Sequence, residues 1–278
     1  MRTRLFATIL CLVAGLAAAA PAEAQYSPRR ARSNNRATGE NFHVELGGTL
    51  WNPIPEIRIS SESLGILGDD VDFVNTLGLP TSKFKQLKLV LRPGVKHKLR
   101  LEYTPIKYNG QKTLATSFRF NGQQYTIGLP VTSELLWKAY RFGYEYDFVS
   151  KDRGFAGVLL ETKYTDITAS LSTTVAGLPT QFTHARGPIP SIGVIARGYI
   201  VPNISVTGEF SGFPEVGTTG SSRYGGKYYD LDVYGTVNFS DHLGAQAGYR
   251  SLDVLYKVNQ DHGTMKLKGL YFGGVTRF

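Results

Sequence analysis

The sequence predicts an all-β protein: a closed antiparallel transmembrane β-barrel of about ten strands. Three observations predict it. Beyond residue 24 no apolar run approaches the length of about 18 residues that a membrane helix needs. Runs with period-two alternation and abundant Tyr, Phe, Thr and Gly fill residues 42–278, and helix-period segments are scarce. The breaks between runs are of two kinds that alternate: RPGVKH, SKDRG, VPN and SDHL are short, whereas residues 52–82, the tip around Asn121, 173–184 and 214–225 are long and polar. Short turns at one end and long loops at the other are the signature of a membrane barrel.

Residues 1–24 read as a secretory signal peptide. Arg2 and Arg4 form its basic start, Leu5 to Ala20 its apolar run, and Ala22-Glu23-Ala24 a small-residue cleavage site before Gln25. The single cysteine, Cys11, lies in this leader, so the exported chain has no disulfide framework, thiol chemistry or Cys-rich zinc site. Residues 25–41 read as a disordered basic linker, with Arg29, Arg30, Arg32 and Arg36 close together. The full chain carries +9. Export argues against nucleic acid as a partner, and the basic charge favours anionic phosphates or other polyanions near a membrane.

The candidate strands, in order, are 42–51, 83–92, 96–120, 123–149, 154–172, 186–200, 203–213, 226–239, 243–258 and 263–278. Segment 52–82 is the ambiguous one: IRISSES could be a strand and DFVNTLGL a helical turn, and a hairpin there would raise the count to twelve. Asn121-Gly122 between two alternating runs predicts a type I′ hairpin turn. That turn sets a register in which Glu102 faces Arg141 and Lys98 faces Glu145. On the other face Leu101 meets Phe142, Tyr103 meets Tyr140, and Leu99 meets Tyr144. A slip of one residue would scramble both faces. Arg or Lys facing mid-membrane lipid costs about 2–4 kcal/mol, so the charged face belongs in the lumen. If Glu102 and Arg141 pair inside the barrel, swapping the charges at both positions restores the stability that either single swap loses.

Later runs read alike. Tyr229, Leu231, Val233, Val237 and Phe239 alternate with Tyr228, Asp230, Asp232, Thr236 and Asn238. Ile204, Val206 and Phe210 alternate with Ser205, Thr207 and Glu209. Aromatics near strand ends, among them Trp51, Trp137, Tyr140, Phe142 and Tyr271, suggest interfacial girdles. The last run ends on Phe278, and pairing with the first run would leave it no loose edge.

Leu270, Phe272 and Phe278 resemble the carboxy-terminal signal of bacterial outer-membrane barrels, which implies recognition by the barrel-assembly machinery. Gly274 and Thr276 depart from the aromatic or aliphatic residues preferred in that signal. Residues 42–278 also resemble a group of largely uncharacterised outer-membrane barrels. That group shares an early Trp-x-Pro, here Trp51-Asn52-Pro53, and an acidic segment entering Leu-Gly-Leu, here DDVDFVNTLGL at 69–79. The resemblance implies the outer membrane of a Gram-negative cell and the fold more than an activity.

No metal or cofactor site is legible. None of His43, His97, His184, His242 and His262 stands in H-E-x-x-H spacing, and there is no G-x-S-x-G elbow and no P-loop. Lipid A deacylases use His-x-Ser on one strand, but the residues two after these histidines are Glu45, Leu99, Arg186, Gly244 and Thr264. Omptin proteases are ten-stranded and set two acidic residues across from an Asp-His couple with one residue between its members. Here Asp69-Asp70 could supply the acids, but Asp261 and His262 are adjacent and would point to opposite faces of a strand.

The expectation is therefore a non-enzymatic barrel with a charged, largely filled lumen, acting as a narrow passive pore or a surface scaffold. The alternative is a hydrolase, omptin-like or lipid-modifying, with its site at the outer rim. Outer-membrane lipids and lipopolysaccharide are the expected partners, met by Lys107, Lys112, Lys227, Lys257, Lys266 and Lys268 near the outer strand ends.

Overall fold

In the computed structural model, residues 37–61, 66, 68–173, 175, 179–217, 224–259 and 261–278 are described. The signal-peptide reading and residues 25–36 of the linker reading lie outside them. Ten strands form the wall: β1 (Val44–Ser60), β3 (Phe84–Gly94), β4 (His97–Thr113), β7 (Pro130–Lys151), β8 (Gly154–Thr173), β9 (Gln181–Val201), β10 (Ile204–Val216), β11 (Tyr224–Asn238), β12 (Leu243–Val258) and β13 (Asp261–Arg277). Each pairs antiparallel with the next, and β13 closes on β1 from Glu45–Arg277 to Ser60–His262. Three short strands lie outside the wall ladder: β2 (Val71–Asp72) on the end of β1, and the hairpin β5 (Phe118–Phe120) and β6 (Gln123–Tyr125).

Alternation sorts the side chains. Leu50, Leu87, Leu101, Phe142, Ile192, Val233 and Phe272 face outward, while Lys98, Arg100, Glu145, Glu161 and Arg250 are buried inside. That is the inverse of a soluble sandwich, and it gives the wall the apolar outer band of an outer-membrane barrel. β3, with 11 residues, is about the length that crosses a membrane with tilt, and the longer strands project beyond it at the loop end.

Segment 52–82 adds no strands to the wall, so the count stays at ten. β1 instead continues to Ser60, through Pro53 and Pro55. These prolines lie beyond Trp51, where the ladder to β3 has stopped and the edge needs no donor. Residues 73–77 form a turn, as the helical-turn reading of DFVNTLGL expects.

The register through Asn121-Gly122 holds along the whole β4–β7 pair, from His97–Tyr146 to Thr113–Pro130, and again in β5–β6. Asn121 (φ 46°) and Gly122 (φ 78°) adopt the positive φ of a type I′ turn. The two long runs are nevertheless broken: residues 114–117 and 126–129 leave the ladder, and the hairpin forms its own two-stranded sheet.

Candidate functional site

The lumen is filled in three layers. At the short-turn end, residues 37–41 are held across the mouth rather than left as the end of a disordered linker. Ala37 N–H donates to Asp152 O (3.1 Å) and Thr38 N–H to Pro202 O (2.7 Å), tying the segment to two different turns. Asn238 Nδ2 donates to Thr38 O at 2.7 Å. The Glu40 carboxylate accepts from Tyr199 OH (2.8 Å) and Arg197 Nη1 (3.3 Å), and Arg92 donates to its carbonyl. Gly39 sits at φ 79°, and a Cβ there would stand 2.6 Å from Arg277 Nη1. The sequence reading missed this because no alternation marks the segment; its partners come from three distant strands and two turns. Glu40→Gln is expected to speed amide exchange at Ala37 and Thr38 about tenfold, since hydrogen bonds to a charged group contribute roughly 1.5–3 kcal/mol. Exchange in the wall strands should be unchanged, and equal exchange at residues 37–38 would count against the clamp.

Above it lies a network of charges. Lys98 Nζ is 2.6 Å from Glu145 and 2.9 Å from Asp147, and 3.4 Å from the centre of the Phe155 ring. Arg100 bridges Glu145 and Glu209, each at 2.5 Å. Arg141 meets Glu161 at 2.5 Å, Glu209 at 3.3 Å and Glu102 at 3.4 Å. Glu102 also accepts from Arg250, which is 2.8 Å from Asp230. The four residues read from sequence as two pairs thus lie in one shared network, in which Glu102 and Arg141 each have several partners.

The third layer is apolar. Along the inward face of β4, Lys98, Arg100 and Glu102 give way past Thr104 to Ile106 and Tyr108. The face of β7 changes from Glu145 and Arg141 to Trp137 and Leu135, and that of β8 from Glu161 and Lys163 to Ile167, Ala169 and Leu171. This change is written in the inward residues of each strand; tracking polarity along the strand as well as across it would have found it. Phe73 and Leu77 from one loop and Phe118, Phe120 and Tyr125 from the hairpin fill this end. Burial pushes the Tyr125 hydroxyl up to about 12, so it keeps its proton and donates to Leu171 O (3.5 Å). Thr183 Oγ1 donates to Asp261 (2.7 Å) and Asn121 Nδ2 to Gln181 (2.9 Å), drawing the loop end together.

Three of the five residues expected in the aromatic girdles do not face outward. Trp51 (0% exposed), Trp137 (1%) and Tyr271 (6%) point into the lumen. Their odd positions share the inward parity of Glu45, Arg141 and Arg277, and Trp51 Nε1 donates to Gly269 O (3.2 Å). Phe142 does face outward, and Tyr140 stacks on Tyr103 at 4.7 Å. Leu270, Phe272 and Phe278 all face outward, and the Phe278 backbone pairs with Val44. Among the loop acids, Asp69 accepts from Arg119 N–H (2.6 Å) and Asp70 lies 3.5 Å from Arg58. Lys107 is paired with Glu134 (2.6 Å) and Lys227 with Asp253 (3.1 Å), while Lys112 donates to Asn75 O (2.5 Å). Among the described residues no group of three or more His, Cys, Asp or Glu could hold a metal ion.

No protein-family model matches the sequence, and no curated protein sequence does. In fold the chain is similar to the outer membrane protease OmpT from Escherichia coli, with a TM-score of 0.54 at 9% identity, covering 88% of this chain and 100% of OmpT. The translocator domain of the autotransporter NalP from Neisseria meningitidis is a looser match, with a TM-score of 0.40 at 10% identity over 86% of this chain and 89% of that one. Ail, the attachment invasion locus protein of Yersinia pestis, gives a TM-score of 0.36 at 8% identity over 84% and 99%. At these identities the likeness is one of fold.

Proposed function

We propose that this chain is a bacterial outer-membrane barrel whose lumen is closed at rest and whose rigid wall serves as a scaffold for the loops at its outer end. The observation that carries the reading is the continuous filling of the lumen: the 37–41 segment, then the ion-pair network, then the apolar plug. A barrel of about eight strands is already filled by side chains, and here loops and terminus add to the filling of ten. The outward apolar band supports a place in the membrane, with short turns toward the periplasm. The outward faces of Leu270, Phe272 and Phe278 suit recognition by the barrel-assembly machinery. Lys268, exposed just above Leu270, is placed to meet lipopolysaccharide phosphates.

Catalysis is no part of this proposal. Asp69 and Asp70 are engaged by Arg119 and Arg58, and Asp261 by Thr183, so these acids serve to hold the loops. Planar-bilayer recording from the refolded chain, with a heat-modifiable band as proof of folding, tests the closed state. Silence is expected. Discrete, reproducible conductance steps would overturn it and return the reading to a narrow pore.

A further inference from the structure

We infer that the apolar third of the lumen is a binding chamber for a neutral apolar molecule that carries a carbonyl oxygen, such as a fatty-acyl ester, with the β5–β6 hairpin as its lid. The inference goes beyond the closed-scaffold reading and does not depend on the pore being shut. The interior of a membrane barrel is ordinarily polar. Here the inward faces of β1, β4, β7, β8, β12 and β13 all turn apolar toward the loop end, which a barrel that only needed rigidity would not require.

Two groups in the chamber wall point to a ligand. The Tyr108 hydroxyl and the Trp137 indole N–H are buried, 0% and 1% exposed by residue, and have no hydrogen-bond partner among the described residues. They lie on adjacent strands and on the same inward face, since Tyr108 pairs with Leu135, two residues from Trp137. Such diagonal neighbours stand about 7–8 Å apart, near enough for one oxygen-bearing group to serve both or either. An indole N–H can only donate, so the ligand must bring an acceptor. An ionised carboxylate would be costly in apolar surroundings, so the acceptor is a neutral oxygen, and a carbonyl, with two lone pairs and no donor of its own to satisfy, suits this pair of groups best.

The side chains that now fill the chamber are on a removable element. Phe118, Phe120 and Tyr125 belong to the β5–β6 hairpin, whose backbone is laddered to itself and not to the wall. Its remaining backbone bonds run to the neighbouring loop, from Asp69 N–H to Arg119 O (2.9 Å) and from Asn121 N–H to Ser61 O (3.2 Å). Gly128, at φ 83°, stands at its base. Lifting the hairpin breaks those two bonds and the side-chain bonds of Tyr125 to Leu171 O and of Asn121 to Gln181 and Phe182 O, while every wall ladder stays intact.

The chain has two tryptophans, and both Trp51 and Trp137 line this part of the lumen, so intrinsic emission reports on it directly. The refolded full chain in detergent is titrated with a dibrominated fatty acid methyl ester, and in parallel with the dibrominated alkane of equal length. The expected result is saturable quenching, with the ester half-point about tenfold lower than that of the alkane, the worth of one hydrogen bond. Tyr108→Phe should narrow that preference severalfold, and the pair Phe118→Ala with Phe120→Ala should lower both half-points. Saturation seen solely in the lid variant still supports a capped site. The proposal is overturned by absence of saturable quenching in both proteins, by equal affinity for ester and alkane, or by equal quenching from a brominated detergent that reaches only the outer wall. Should the lid variant not fold, the wild-type titration and Tyr108→Phe decide.

Discussion

A barrel carrying Arg141→Met is expected to lose about 3–5 kcal/mol of stability, the usual loss when one member of a buried ion-pair network is removed. Arg141 lies between Glu161, Glu209 and Glu102, so its loss leaves buried carboxylates without their main counter-charge. Urea unfolding followed by tryptophan emission, with heat-modifiability as a second probe, measures it. The reciprocal swap, Glu102→Arg with Arg141→Glu, is expected not to rescue either single swap. A carboxylate at position 141 would face Glu161 and Glu209, and a cation at 102 would face Arg250. The register alone predicts rescue; the network predicts none. Full recovery would show Glu102 and Arg141 to be an independent pair and would sink the network account.

Gly273→Val is expected to prevent barrel closure, costing about 3 kcal/mol or more and removing the folded band on a heat-modifiability gel. A Cβ at 273 would stand 2.1 Å from Gly48 O and 2.6 Å from Thr49 Cα, both backbone atoms of β1 across the closing seam. Flexible side chains can move aside; a paired strand cannot without opening the ladder that joins β13 to β1. Gly274→Val is the control. Its Cβ would face outward, with the nearest atom Gly244 O at 3.4 Å, and folding should survive. Equal tolerance at both positions would show that the seam has more room than its geometry allows.

The contrast at 273 and 274 also shows what local pattern conveys. Parity along a strand was legible: it put Leu101 and Phe142 on the face opposite Glu102 and Arg141 and set the register of β4 against β7 from one Asn-Gly turn. Parity misassigned nothing about Trp51, Trp137 and Tyr271; they were read as girdle residues because aromatics near strand ends suggested it, although their own odd positions share the inward face with Arg141 and Arg277. The first run was ended at residue 51, whereas β1 continues through Pro53 and Pro55, where it has no β3 partner and the edge needs no donor.

Period-two alternation, turn residues and loop lengths are local, so the sequence by itself determined the barrel, the sorting of charge inward and the β4–β7 register, while 52–82 left ten or twelve strands open until the structure showed ten in the wall. The rest depends on groups that meet across the barrel from strands far apart in the chain. Only the tertiary structure decided that Arg141 shares its carboxylates with Arg100 and Arg250, that residues 37–41 cross one mouth, and that Phe118 and Phe120 turn inward at the other. Packing inside a closed wall is set by which side chains reach the same space, and no spacing along the chain encodes that.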